Sequence, residues 1–570
     1  MVAQIMWLKT HSRRVKIFCS AVMLTCLCWN AAHAVSVDIS GPSETTNEQL
    51  LRALSLLRQG KIEDAEAVTR EYLAQVSNSA EAYEILGVVL AKKEQIDESI
   101  AALEKAVFLN PEQATAYTKL GDIYLATGQK EKAQAQFELA LKANPNEPRA
   151  HQRLGIFAEE QGNIETAIAH YRRGLIGTSP QYLGIKLNLA ILLNKTTEFG
   201  KSIDLLEPWL MAGGQSVLAR HVLADAYLGA GRWSDAETQY QALLAEQPSN
   251  TISLRLGLAI AQRESGAIDA ALKTLQAAST DAPNDRSLLL QLAITNRAAG
   301  NMDTALDLFS ELAKAPDASA DALLGLGTTL KLRGDLAQAE QVFKTLTRKY
   351  QKNAQGYIEL GTLLGLQTRY DEAEAAFSAA HSIAPDNPAV LRGLSTIKLR
   401  QGDRAAAIDL AEKVIAIAPD DVSSRFYLAT LLQDQGDQQA AMSRYKQVIE
   451  RDGTHWAALN NLANLTLDSG DTFTAASLAE RALRLVPENG IVLDTLGWIR
   501  FQQGNLPAAL ELLQQASQKR PEAAAVRIHL GQTFAALNDA KRAREQYELA
   551  LKHASDEQQA ATIRDLISKL

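Results

Sequence analysis

One spacing constrains this chain more than anything else in it. Leu120-Gly121 recurs 34 residues later as Leu154-Gly155 and 34 residues earlier as Leu86-Gly87. A small residue continues the series at Ala53, Gly87, Gly121, Gly155, Ala190, Ala224, Ala259, Ala293, Gly327, Gly361, Ser395, Ala429, Ala463, Gly497 and Gly531. These mark fifteen units. Every step is 34 except those from 155 to 190 and from 224 to 259, which are 35. A fixed period of this length predicts a repeat array. Each unit then buries its apolar face only against its neighbours, so 570 residues need not be cut into several globular domains.

Four columns keep this register. The residue before the small one is Leu in fourteen units, with Arg52 the exception. Twelve after it stands Ala in thirteen, with Ser99 and Ser202 the exceptions. Seven after it stands Gly in eleven, and twenty-four after it Pro in eight. The apolar spacing on each side of the glycine predicts two amphipathic helices per unit. The glycine ends the first helix in a left-handed residue. The small residue and the Ala let the two helices approach. Aromatic residues four beyond the Ala (Phe137, Tyr171, Tyr240, Phe309, Phe343, Phe377, Tyr445, Tyr547) fill the space between units, and the Pro closes the second helix.

These columns resemble the tetratricopeptide repeat, whose signature pairs Leu-Gly with a later Ala, an aromatic and a Pro over the same period. The resemblance covers roughly Thr46 to Glu557. It departs most at the signature's first aromatic: Tyr83, Tyr117 and Tyr357 hold that column, whereas His151, Lys186 and Arg220 stand there in other units. The fold class expected is all-α. The resemblance implies an α-solenoid of about fifteen helix-turn-helix repeats, wound into a right-handed superhelix whose first helices line a concave groove. Repeats 1–4 are expected over 46–181, an irregular repeat 5 over 182–216, repeats 6–15 over 217–557 and a C-terminal capping helix over 558–570. Repeat 5 has Thr197 in place of the turn glycine, Pro208 inside its second helix and Gly213-Gly214 at its end. A kink or mobile joint and a merely degenerate repeat both fit it.

The N-terminus reads as a signal peptide over 1–34, followed by a polar linker over 35–45. Lys9, Arg13, Arg14 and Lys16 precede an uncharged apolar run from Ile17 to Trp29, and Ala32-His33-Ala34 offers a cleavage site. Thirteen apolar residues are too few to span a bilayer as a helix. All three cysteines, Cys19, Cys26 and Cys28, lie in this run. A retained anchor and a lipidated cysteine are the alternatives to cleavage. Cleavage after Ala34 would leave an acidic chain without thiol chemistry, suited to the periplasm or cell envelope and without an integral membrane span. The net charge of −8 gives no basic footprint for nucleic acid.

No catalytic or cofactor motif survives inspection, so no enzyme, cofactor or metal is expected. Gly200-Lys201-Ser202 resembles the end of a phosphate loop, but Lys195 stands where its first glycine belongs and Ser202 is a lattice position. The nine histidines show no ligand spacing.

The remaining candidate is the groove. In the family, positions three before and one after the small residue tend to face it. Here these include Leu290, Ile294, Phe426, Asp494 and Trp498, with Phe501 beside Trp498, while Asn460, Asn461 and Asn464 form a local polar patch that could bind a peptide backbone. Arg263, Arg297 and Lys331 recur four after the small residue in successive units, as a basic ladder that would steer an acidic partner. Such a strip would hold an extended or helical peptide. The competing reading is that these side chains only pack between adjacent first helices.

The expected function is a non-catalytic scaffold or adaptor that binds protein or peptide partners in the cell envelope. Leu493 to Ala516 resembles the closing repeats of tetratricopeptide proteins linked to exosortase-type sorting and exopolysaccharide secretion, which implies association with envelope secretion machinery. The alternative is an intracellular adaptor or regulator whose apolar N-terminus only imitates a signal.

Overall fold

The computed structural model describes residues 48–176, 182–246 and 251–570. The expected signal peptide and linker lie outside the described residues. Within them the chain is all-α, with 31 helices and no strand, and forms an α-solenoid of paired helices. Repeat 10 is representative: its first helix is Ala354–Leu366 and its second Tyr370–Ile383. A last helix, Glu557–Ser568, packs Ile563 against repeat 15 and closes the array, starting one residue before the expected 558. The chain divides into two compact units, one ending at Leu308 and one beginning at Phe309, inside the second helix of repeat 8 (Met302–Lys314).

The turn between paired helices has the same backbone in every repeat. The eleven column glycines take φ between 76° and 95°. The four residues that replace glycine take it too: Glu94 at 62°, Thr197 at 65°, Thr368 at 61° and Asn538 at 61°. The left-handed conformation is therefore a demand of the helix pair, and the residue type only sets what it costs. Repeat 5, for all its irregularities, forms the pair Leu183–Lys195 and Phe199–Met211, the second helix running on past Pro208.

The small-residue column has a specific reason. A Cβ added at Gly121 would lie 2.7 Å from the ring of Phe137, at Gly155 2.5 Å from Tyr171, and at Gly531 2.5 Å from Tyr547. The aromatic of the second helix thus packs directly against the backbone of the first helix of its own repeat. Its far edge then reaches the next repeat. A Cβ at Gly257, Gly325 or Gly393, each two before a small residue, would lie 2.2–2.3 Å from Tyr240, Phe309 or Phe377. One buried ring therefore ties three helices together.

The polar exceptions bond across the pair. Ser99 Oγ donates to the Gly87 carbonyl at 2.6 Å and Ser202 Oγ to that of Ala190 at 3.3 Å. Ser395, in the small-residue column, donates in the opposite direction to Ala407 at 2.6 Å. The column of the missing first aromatic is filled just as purposefully. Arg425 and Arg527 donate to the carbonyls of Pro419 and Pro521, and His151 Nε2 lies 2.9 Å from that of Pro145. In each case a side chain six residues on holds a carbonyl of the inter-repeat turn, which helix geometry leaves unpaired.

Candidate partner-binding face

Successive first helices lie side by side, and the column two before the small residue stitches them together. Lys119 is ion-paired to Glu84 of the repeat before it, and both side chains are buried. Arg153 Nε binds Asp122 at 2.7 Å, a carboxylate also held by Arg149 at 2.6 Å. Gln291 accepts from Arg263 at 2.7 Å, and Glu359 from Lys331 at 2.6 Å. Asn188 and Asn461 donate to the hydroxyls of Tyr171 and Tyr445, at 3.4 and 3.0 Å. The side chains in this column bond backwards by one repeat, so its polarity is structural.

This seam corrects the expected basic ladder. Arg263 is buried, its guanidinium bonded to Gln291 and to Glu264 at 3.0 Å. Burial lowers its pKa, which the adjoining Glu264 partly offsets. Lys331 is committed to Glu359. Arg297 is half-buried and likewise not a free cation. Arg263 and Lys331 reach to the next repeat, and none of the three is a free cation. The polar patch is corrected in the same way: Asn460 is 2% exposed, and of it only Asn464 lies one after a small residue, half-buried. Leu290 and Ile294 are half-buried on the first helix of repeat 8 (Arg286–Ala298). Further groove candidates three before the small residue (Leu256, Leu324, Ile358) are buried between helices.

The aromatic candidates lie together. Trp498 and Phe501, on the first helix of repeat 14 (Gly490–Gln502), stack at 4.8 Å and 9°. His529 of repeat 15 stacks on Trp498 at 4.3 Å and 14°. Asp494 orients that imidazole, Oδ1 to Nδ1 at 2.9 Å. Asp494, Trp498 and Phe501 are therefore brought together, with His529 the member missed from sequence. Its register was visible, 31 residues beyond Trp498. Phe426 forms a second group, 4.6 Å from the ring of His455 and 5.7 Å from that of Tyr445.

A ladder also went unread. One after the small residue stand Thr328, Thr362, Thr396 and Thr430, in four consecutive repeats. Each hydroxyl donates to its own helix: to Leu324, to Ile358 at 2.8 Å, to Arg392 at 2.9 Å and to Tyr427 at 2.7 Å. With the proton so committed, the outward lone pairs act as acceptors. Leu332 and Leu366, four residues beyond Thr328 and Thr362, are 62% and 65% exposed. This face lies wholly in the second unit. It offers hydroxyl acceptors, exposed leucines and an aromatic stack, the make-up of a protein-binding surface.

Among the described residues no helix is long and apolar enough to cross a membrane. Two family models, both described as tetratricopeptide repeat, match the chain. One covers residues 50–114, 118–182, 221–286, 256–320, 426–490 and 495–560, and the other 296–358 and 366–432. No curated protein matches it. Similar solved structures include the APC/C hetero-tetramer Cut9–Hcn1, at 14% identity over 92% of this chain and 96% of that one, with a TM-score of 0.39. A tetratricopeptide repeat protein from Parabacteroides merdae is 17% identical over 44% of this chain and 97% of that one, with a TM-score of 0.37. Yeast Tom70 is 16% identical over 86% and 95%, with a TM-score of 0.32. With its columns explained by packing and more than half of its length matched by one such model, the chain belongs to the tetratricopeptide repeat family.

Proposed function

We propose that this chain is an exported, non-catalytic scaffold that holds an extended polypeptide on the first-helix face of repeats 9–14, in the service of secretion, protein sorting or exopolysaccharide export in the cell envelope. One observation carries the binding role. The threonine ladder repeats in register over four units with its protons turned inward, so an extended chain laid along it would donate main-chain N–H groups to successive hydroxyls. Leu332 and Leu366 would take apolar side chains beside it, and the stack of Phe501, Trp498 and His529 would anchor the far end. The structural use of Arg263 and Lys331 removes charge steering from this reading, so recognition rests on main-chain and apolar contacts. Export rests on the basic and apolar N-terminal pattern and the Ala32-His33-Ala34 site.

Photoreactive residues placed at Thr362 and at Trp498 test the binding face. Both should crosslink the same envelope protein, while a probe at Phe108, exposed on the second helix of repeat 2 (Ile96–Leu109), should not. Crosslinks from Phe108 alone would refute the assignment. N-terminal sequencing tests export, and a mature start at Val35 is expected.

A further inference from the structure

We propose that His151 and His170 form a proton-operated latch in repeat 4, which clasps the two helices of the repeat as long as one of the two imidazoles is neutral and releases them in acid when both are charged. His151 Nε2 lies 2.9 Å from the carbonyl oxygen of Pro145, so this nitrogen carries a hydrogen. His151 Nδ1 lies 3.0 Å from His170 Nδ1, so one proton stands between them. For two neutral rings only one arrangement satisfies both contacts. His151 donates through Nε2 and accepts through Nδ1, and His170 donates through Nδ1. The fourth nitrogen, His170 Nε2, is left with a lone pair.

Added protons act in turn. The first falls on His170 Nε2 and keeps the clasp, in a half-buried ring that lines a cavity of about 270 Å³ together with apolar Leu141, Leu154 and Phe157 and polar Gln134, Gln161 and Thr166. The second has no site that keeps the clasp, because two N–H groups would then face each other across the contact. The charged surroundings do little to help. Arg173, on the same helix as His170 (Ile164–Gly174), opposes protonation of both rings. Glu138, from the second helix of repeat 3 (Lys130–Ala143), is the acid that shares the cavity lining. Lys130 of that same helix lies over Phe157. Burial first, and Arg173 with it, holds both imidazoles below the usual histidine value.

The latch lies at a joint. His151 is 1% exposed, on the first helix of repeat 4 (Pro148–Glu160). One turn beyond His170, a Cβ at Gly174 would lie 3.0 Å from His151 Cβ and 3.3 Å from Ile185 Cδ1, on the first helix of repeat 5. Both helices of repeat 4 and the start of repeat 5 therefore meet close to His151. Release therefore loosens the step from repeat 4 to repeat 5.

The sign follows from linkage. The folded values lie below the unfolded value of about 6.5, so the unfolded chain binds the protons first. The stabilisation is complete above that value and is lost as pH falls from it through the lowered folded values.

Hydrogen exchange of the full chain, corrected for the intrinsic rate, tests this at pH 7.5 and 5.5. Peptides from 148–174 should lose protection in acid by roughly tenfold relative to peptides from 320–349, which contain no histidine. In His170→Asn and in His151→Gln the acid-specific loss should shrink, because one titrating ring is gone. Exchange of the imidazole C2–H in the unaltered protein gives a readout that does not depend on folded variants, and both rings should titrate below the unfolded value. Equal acid responses in the two regions, an undiminished loss in both variants, or C2–H titration at or above 6.5 would each overturn the latch.

Discussion

Thr368 occupies a conformation suited to glycine, and replacing it should stabilise the protein. Its φ is 61°, it is exposed, and its amide bonds to the Gly365 carbonyl at 3.1 Å as the turn requires. A left-handed residue with a Cβ costs roughly 1–2 kcal/mol, with a β-branched side chain at the upper end. Glycine removes that cost but returns about 0.5–1 kcal/mol as extra freedom of the unfolded chain. Thr368→Gly should therefore gain about 0.5–1 kcal/mol. The reverse change, Gly334→Ala in repeat 9, imposes the same backbone cost. A Cβ there meets nothing within 4 Å, so the loss of about 1 kcal/mol is conformational and not steric. Repeat arrays of this length do not unfold in one step, so a global midpoint would blur the effect. Native-state exchange of the Arg369 amide, bonded to Leu364 at 3.0 Å across the turn, reads it locally. That amide should exchange about two- to fivefold more slowly in Thr368→Gly, and the corresponding Asp335 amide faster in Gly334→Ala. Faster exchange in Thr368→Gly would refute the view that the turn imposes its backbone on the residue.

Ser395→Ala deletes the bond to the Ala407 carbonyl and should cost about 1 kcal/mol, read as faster exchange in repeat 11. Gly325→Ala drives a methyl against the Phe309 ring and should cost about 1–3 kcal/mol, seen as a lowered urea midpoint for the second unit. Glu84→Ala leaves the Lys119 ammonium buried and unpaired and should cost about 3 kcal/mol, whereas Glu84→Ala with Lys119→Met should recover most of it. Trp498→Ala should weaken partner capture at least tenfold while leaving exchange in repeats 9–13 unchanged, as a pull-down beside an exchange map would show.

The helix pairs were legible because their causes are local and periodic. Apolar spacing, the turn glycine and the closing proline act within one repeat, and fifteen repetitions made each column plain. Glu94, Thr197, Thr368 and Asn538 looked like lapses in that pattern, since a residue letter does not state its φ. The site was less legible. Position in the repeat put Asp494, Trp498 and Phe501 among the groove candidates, and the structure brings them together, yet it treated Arg263 and Lys331 as free cations. Their partners, Gln291 and Glu359, are each 28 residues away, and an ion pair at that distance leaves no local trace. The threonines went unread for another reason. A lone Thr carries little meaning until its neighbours 34 residues on are seen to share a face and its proton is seen to be spent.

The sequence by itself determined an all-helical array of fifteen units, its turn positions and its membership by pattern in one repeat family, because those properties follow from backbone preference and periodic burial. Only the tertiary structure decided which polar side chains serve the array and which face outward. It assigned Asn188 and Asn461 to tyrosine hydroxyls, brought His151 against His170 and His529 against Trp498, and left the hydroxyls of Thr362 and Thr396 open. Those outcomes depend on contacts between helices, and two identical letters at equivalent positions meet different neighbours when the adjoining repeats differ.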